Sequence, residues 1–101
     1  MIRRQETETK KLKAKLLKIN VSDGINKREA DTIAQAYFHK HVGCGYYQKI
    51  SDVGDYWKVE GLFGRGAQPI EGFVINKATG ETKSPIGPSY VHPKDIFAPP
   101  P

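Results

Sequence analysis

One cysteine and three histidines are the residues of this chain most suited to nucleophilic or metal chemistry: Cys44, His39, His41 and His92. A catalytic thiol needs a lowered pKa, which a helix N-terminus or a cationic neighbour commonly provides. Cys44 instead follows the predicted end of a helix, where the helix dipole disfavours a thiolate. His39 and His41 are two residues apart on that helix, about 200° around its axis, so they do not grip one metal ion together. We therefore expect no catalytic residue, no metal site and no cofactor.

A second candidate is the glycine-flanked arginine of residues 64–66, which lies between Phe63 and Gln68. An arginine beside an aromatic residue suits stacking and phosphate contacts with single-stranded nucleic acid. The same pair is common in protein-binding hot spots, and it also fits an exposed hairpin loop with no partner. Asp52 and Asp55, the nearest pair of carboxylates, flank a predicted turn and are interpreted as turn formers.

Charge is unevenly distributed along the 101 residues. Residues 1–18 contain seven Lys or Arg and two Glu, whereas the remainder contains nine basic and nine acidic residues. The whole net charge of +5 therefore belongs to the N-terminal segment. This segment lacks the apolar stretch of a secretory signal, so we expect a cytoplasmic protein. The length favours one domain with a single hydrophobic core.

Two helices are predicted before any strand. Residues 6–19 form a short basic helix, in which Leu12, Leu16 and Ile19 recur at helical spacing. The second helix runs from Asn26 to Val42 and carries the strongest signals in the chain. Asn26 with Glu29 makes a capping-box pattern, and a wide apolar stripe follows. This stripe comprises Ala30, Ile33, Ala34, Tyr37, Phe38 and His41, and we expect Gly43 and Gly45 to end the helix.

A small antiparallel meander is predicted after the second helix. Tyr46 to Ile50 is the first strand, and Tyr56 to Phe63 is the second, with Trp57, Val59 and Phe63 alternating toward the core. Phe73 and Ile75 belong to the next strand, and a turn from Asn76 to Gly80 leads to a last strand near residues 81–84. We expect Trp57, Phe38 and Ile33 to share one core.

These elements predict an α+β fold, in which one main helix packs on a three- to four-stranded antiparallel meander. The expected divisions are a basic helix and turn over residues 1–24, a core domain over 25–84 and a proline-rich tail over 85–101. Prolines at 85, 88, 93 and 99–101 make this tail extended and irregular. It either wraps the domain or is disordered.

The segments that follow the helix resemble those of two related groups of small bacterial domains. The segments are Gly-Asp-Tyr-Trp-Lys-Val-Glu-Gly at 54–61 and Gly-Phe-Val-Ile-Asn-Lys-Ala-Thr-Gly-Glu at 72–81. One group is the PepSY-like domains. The other is the small immunity proteins with a nuclear-transport-factor-2-like or cystatin-like fold, which protect a cell from polymorphic toxins. The resemblance covers residues 25–84, and Asn76 stands where these families usually have Asp.

The resemblance implies a non-catalytic protein-binding domain, an immunity-type protein that covers the active site of a toxin. An alternative in the same fold is a small enzyme or ligand-binding protein that uses the cone between helix and sheet, where the sequence offers Tyr37, His41 and Tyr47. A third possibility is a phage or nucleic-acid accessory protein. We expect the protein partner to be bound by the loop of residues 63–68 and the exposed strand face, through Phe63, Arg65, Gln68, Tyr56, Lys58 and Glu60.

Overall fold

The computed structural model describes residues 2–41, 46–63 and 66–97. It has the α+β architecture expected from the sequence. The helices are α1 (Ile2–Leu17) and α2 (Lys27–His41), and the strands are β1 (Tyr46–Asp52), β2 (Tyr56–Phe63), β3 (Gln68–Pro69), β4 (Val74–Asn76) and β5 (Thr82–Lys83). Short 3-10 helices occur at Val21–Asp23 and Pro93–Phe97. None of the helices in these ranges combines the length and the apolar character needed to cross a membrane.

Helix α1 is longer at its start than predicted and ends two residues earlier, at Leu17. Its apolar stripe is confirmed, since Leu16 is 1% exposed and Leu12 and Ile19 pack against the core. The helix therefore lies against the domain through this narrow stripe.

Helix α2 begins with the predicted capping box. The backbone N–H of Asn26 donates to Oε1 of Glu29 at 3.0 Å, and the backbone N–H of Glu29 donates to Oδ1 of Asn26 at 2.8 Å. Two N–H groups that the first turn would otherwise leave unpaired are thereby satisfied. Five predicted stripe residues are buried, His41 is half-buried, and Ala36 is buried as well. The predicted end at Gly43 and Gly45 lies outside the described residues.

The sheet has the order β1-β2-β4-β5, and β3 also pairs with β2. Strands β3 and β4 are two parts of one returning strand. Between the pairs Leu62↔Pro69 and Lys58↔Val74, β2 advances four residues and the returning strand advances five. The extra residue forms a bulge beside Gly72, whose φ of 87° suits glycine.

The predicted turn from Asn76 to Gly80 is confirmed in detail. Oδ1 of Asn76 accepts hydrogen bonds from the backbone N–H groups of Ala78 at 2.7 Å and Thr79 at 3.1 Å. Gly80 has a φ of 76°, and its N–H donates to the carbonyl of Asn76 at 2.8 Å. The turn closes onto β5, which is shorter than the predicted last strand.

The core lies between α2 and one face of the sheet. Ile33 and Phe38 are in it, as expected, with Val59, Phe73 and Ile75 from the sheet. Trp57 differs from the expectation, because it is only partly buried and packs at the margin of this core. Its indole N–H needs an acceptor, and it donates to the carbonyl of Ile25 at 2.8 Å.

The chain after β5 packs on the domain through residue 97. Tyr90 and Thr82 exchange backbone hydrogen bonds of 2.8 and 3.2 Å, which covers the edge of β5. Pro93 and Ile96 are buried, and Nζ of Lys40 donates to the carbonyl of Ile96. Residues 85–97 of the proline-rich tail therefore wrap the domain, which is one of the two alternatives expected from the sequence. Residues 98–101 lie outside the described chain.

Candidate functional site

Strand alternation divides the sheet into a core face and an outer face. Val59 and Ile75 point to the core, so their neighbours along β2 and β4 point away from it. The outer face consists of Lys49, Ser51, Tyr56, Lys58, Glu60, Leu62, Val74, Asn76 and Lys83. The buried cluster and the residues packed against it include none of these nine.

Lys58 is at the middle of the outer face. It is exposed and pairs in register with Val74, which is half-buried, and Tyr56 is two residues before it on the same side of β2. Lys83 is exposed and pairs with Val74 from the other side. In the described part of the chain, neither lysine is within salt-bridge distance of a carboxylate. The centre therefore combines apolar surface with two positive charges.

Glu60 is the one carboxylate of the outer face, and neighbouring side chains already compensate its charge. The hydroxyl of Ser51 donates to Oε2 of Glu60 at 2.8 Å, and Nζ of Lys49 is 3.5 Å from the same oxygen. The Ser51 hydrogen bond, with a smaller effect of Lys49, lowers the pKa of Glu60 below its ordinary value. Glu60 is thus a fixed anion, held across the β1–β2 pair.

The predicted binding loop is shorter in the structure than the sequence suggested. Phe63 and Gln68 pair in register, so the loop is the four residues 64–67, which is an ordinary hairpin length. Phe63 is an odd-numbered residue of β2, whereas the outer-face residues Tyr56, Lys58 and Glu60 are even-numbered. Gln68 pairs with Phe63, so Gln68 stands on the opposite side of the sheet from those three. Gln68 is exposed, while Arg65 lies outside the described residues. Of the four predicted residues whose side chains are described, Gln68 therefore does not share a face with Tyr56, Lys58 and Glu60.

The cone between helix and sheet is closed by the C-terminal segment. The hydroxyl of Tyr37 donates to the carbonyl of Pro88 at 2.6 Å, and Nε2 of His41 is 2.5 Å from the hydroxyl of Tyr90. A Cβ added at Gly87 would be 2.6 Å from the Tyr37 hydroxyl, so the segment passes directly over it. Tyr37 and His41, both expected in the cone, are thus engaged by the chain itself. The side chain of Tyr47, the third residue expected there, lies outside the description.

Burial sets the protonation of this cluster. Desolvation, more than the effect of Tyr90, raises the pKa of Tyr37, so its phenol stays protonated at neutral pH. Desolvation, with a smaller effect of Lys40, lowers the pKa of His41 and favours the neutral imidazole. A neutral histidine beside a phenol is chemically able to relay a proton. In this arrangement, however, both groups hold the C-terminal segment in place.

A groove of about 530 Å³ runs along β5 and the C-terminal segment. Its hydroxyl oxygens accept backbone hydrogen bonds from the segment: Thr82 from Tyr90 at 3.0 Å, and Ser89 from Ser84 at 3.0 Å. These side chains therefore stabilise the fold. Within the described ranges no three His, Cys, Asp or Glu side chains are grouped to hold a metal ion, and Cys44 lies outside those ranges.

Several residues of the outer face were not predicted from the sequence. Lys49, Val74 and Lys83 join Tyr56, Lys58 and Glu60 only through cross-strand pairing. The alternation of each strand was a signal for them. The register of Val74, however, depends on the bulge beside Gly72, and that of Lys49 depends on the register shift between Tyr47 and Lys49. Comparison of the chain with protein-family models, curated proteins and solved structures found no match.

Proposed function

We propose that the chain is a non-catalytic protein-binding domain whose outer face binds an acidic surface of a partner protein. One observation carries the proposal. Helix α2 packs on the core face, and the buried core joins it to α1 and to the C-terminal segment, while none of the outer-face residues takes part in that core. The outer face presents half-buried Tyr56, Leu62 and Val74 among its charged residues.

The charges of the outer face select an acidic partner. Nζ of Lys49 lies 3.5 Å from Oε2 of Glu60 and offsets its charge, so Lys58 and Lys83 are the outer-face cations that stay uncompensated among the described residues. Cations on a binding surface increase the rate of association and exclude basic partners, while aromatic and apolar groups supply most of the affinity. Tyr56 and Val74 flank Lys58 and are the expected anchors.

The sheet also favours binding at a low entropic cost. The backbone of β2 at Trp57 and Lys58 is held by ladders on both sides, from β1 and from β4. Ordering of a surface during association costs free energy, and a surface that is already ordered avoids part of this cost. In the proposal, Gln68 is not part of this surface, because it stands on the opposite side of the sheet from Tyr56, Lys58 and Glu60.

The specific form of the proposal is an immunity protein that covers the active site of a bacterial toxin. It rests on the resemblance of residues 25–84 to the PepSY-like and nuclear-transport-factor-2-like or cystatin-like immunity domains. A toxin neutralised by the outer face would present acidic residues around its active site. The genetic setting bears on this form directly, because a toxin gene next to the gene of this chain would supply the partner.

The experiment is site-specific photocrosslinking in the native cell. Benzoylphenylalanine replaces Tyr56 in one variant and, as a control, the 73% exposed Val91 in another. We expect Tyr56→benzoylphenylalanine to yield one prominent adduct, and the purified partner to bind the wild-type chain through an acidic surface. Equal adducts at both positions, or a basic partner surface, would contradict the proposal.

A growth assay tests the immunity form. The crosslinked partner is expressed with the wild-type chain, and with Tyr56→Asp/Lys58→Glu. We expect growth with the wild type and arrest with the variant. Normal growth when the partner is expressed alone would show that it is not a toxin, and the general binding function would then stand without the immunity form.

A further inference from the structure

Helix α1 and the turn after it present five lysines to solvent, around the sides of the helix that its buried stripe leaves free. Residues 9–18 contain no Asp or Glu, and Lys10, Lys11, Lys13, Lys15 and Lys18 are all exposed. Leu16, in the buried stripe, is 1% exposed and anchors the helix to the core. The positive charge is therefore held in a fixed position.

Three of these lysines form a continuous ridge. Lys11 and Lys15 are four residues apart on one side of α1, with an axial step of about 6 Å. Lys18 follows in the turn just after the helix, where its backbone N–H donates to the carbonyl of Lys15 at 3.2 Å. Lys11 and Lys15 also border a groove of about 280 Å³ that Gln35 of α2 helps to line. Like charges at this spacing repel each other and weaken a helix, and a bound polyanion would remove the repulsion.

We propose that this lysine ridge, Lys11, Lys15 and Lys18, binds the phosphate backbone of duplex nucleic acid without sequence preference. A duplex carries one negative charge per about 1.7 Å of its axis, a density that suits a closely spaced row of lysines. The proposal concerns a different surface from the outer face and does not depend on the partner proposed for it.

Two other polyanions fit the ridge less well. A surface helix that binds a membrane inserts its apolar side into the lipid, and here that side is buried against the domain through Leu12 and Leu16. Proteins that bind single strands stack bases on aromatic side chains, and residues 9–18 contain none. A surface that contacts phosphates through lysines, with no aromatic side chain on which bases could stack, favours a duplex over a single strand.

The test is fluorescence anisotropy with a fluorescein-labelled 20-base-pair DNA duplex of mixed sequence, from 50 to 200 mM NaCl. Three phosphate contacts predict a slope of log affinity against log salt of about −2.7. The variant Lys11→Gln/Lys15→Gln/Lys18→Gln should bind at least tenfold more weakly at 50 mM salt. The control Lys49→Gln/Lys58→Gln/Lys83→Gln removes the same charge from the outer face and should bind within twofold of wild type.

A charge-conserving substitution checks that the loss of DNA affinity in the glutamine variant comes from the lost charge and not from unfolding. Lys11→Arg/Lys15→Arg/Lys18→Arg should retain binding within about threefold, since arginine also pairs with phosphate. The proposal is overturned if the duplex does not bind at 50 mM salt, or if the two glutamine variants lose affinity equally. Tighter binding to the matching single strand, or to phosphatidylserine vesicles, would also overturn it.

Discussion

The indole N–H of Trp57 donates a 2.8 Å hydrogen bond to the carbonyl of Ile25, the residue before the capping box of α2. This contact joins the middle of the sheet to the start of the main helix. Nζ of Lys77 lies 4.5 Å from the centre of the Trp57 ring, which adds a cation–π contact from the turn after β4. Trp57 thus connects three elements from the margin of the core.

We expect Trp57→Ala to lower the free energy of unfolding by about 3 kcal/mol, because it removes both packing and the hydrogen bond. Trp57→Phe keeps most of the packing and should cost about 1 kcal/mol for the lost hydrogen bond. Urea unfolding monitored by circular dichroism measures both. A Trp57→Ala variant as stable as wild type would show that this side chain does not support the fold.

The capping box gives a second stability test. Asn26→Ala should lower the free energy of unfolding by about 1 kcal/mol, because an N–H group of the first turn loses its acceptor. Glu29→Gln preserves an acceptor for the Asn26 N–H and should cost less than Glu29→Ala. If the double variant Asn26→Ala/Glu29→Ala lost as much as the sum of the single variants, the two residues would not act as a unit.

Stability should decrease on mild acidification through His41. Burial and the charge of Lys40 lower its pKa from the ordinary 6.5, so the unfolded chain binds the proton more tightly than the folded chain. The contribution of neutral His41 is therefore complete above pH 6.5 and is lost as the pH falls below it. The pKa values of Asp52 and Glu60 are lowered from 3.8 and 4.5, so their contribution to stability is complete above these values and is lost only at more acidic pH.

Urea unfolding at pH 7.5 and pH 5.5 measures this dependence. We expect wild type to lose stability between the two values and His41→Gln to lose less, since glutamine does not titrate. An identical loss in both proteins would assign the pH dependence to another group.

Gly54, in the turn between β1 and β2, and Gly80, in the turn before β5, allow the cost of backbone strain to be compared with the cost of strain plus tight packing. Gly54 and Gly80 both have positive φ, 100° and 76°. A Cβ at Gly54 would have no atom within 4 Å, whereas one at Gly80 would be 2.9 Å from Cγ of Pro93. Gly54→Ala should cost about 1 kcal/mol of strain, and Gly80→Ala should cost more. Equal melting temperatures for the two variants would show that Pro93 does not pack tightly on the turn.

The parts of the fold that were predictable depend on contacts between near neighbours. The Asn26–Glu29 capping box and the Asn76–Gly80 turn are each specified by residue types within five positions. The apolar stripes of both helices are local periodicities of the same kind.

The remainder depends on pairing between distant residues. The division of the returning strand around Gly72 follows from its register on β2. The position of Ile96 depends on a contact with Lys40 of α2, 56 residues earlier. For the candidate site, the sequence indicated Tyr56, Lys58 and Glu60 as one exposed face. It did not indicate that Lys49, Val74 and Lys83 complete that face, nor that Gln68 stands on the other side.

The most direct test of the outer face is the dissociation constant of the crosslinked partner, measured by calorimetry with purified proteins. We expect binding at least tenfold weaker for Lys49→Gln/Lys58→Gln/Lys83→Gln, about 1.4 kcal/mol or more, because the net charge of a surface that faces acidic groups falls by three. Lys11→Gln/Lys15→Gln/Lys18→Gln should bind within twofold of wild type. Wild-type affinity in the outer-face variant would contradict the proposal that the outer face binds an acidic surface of the partner.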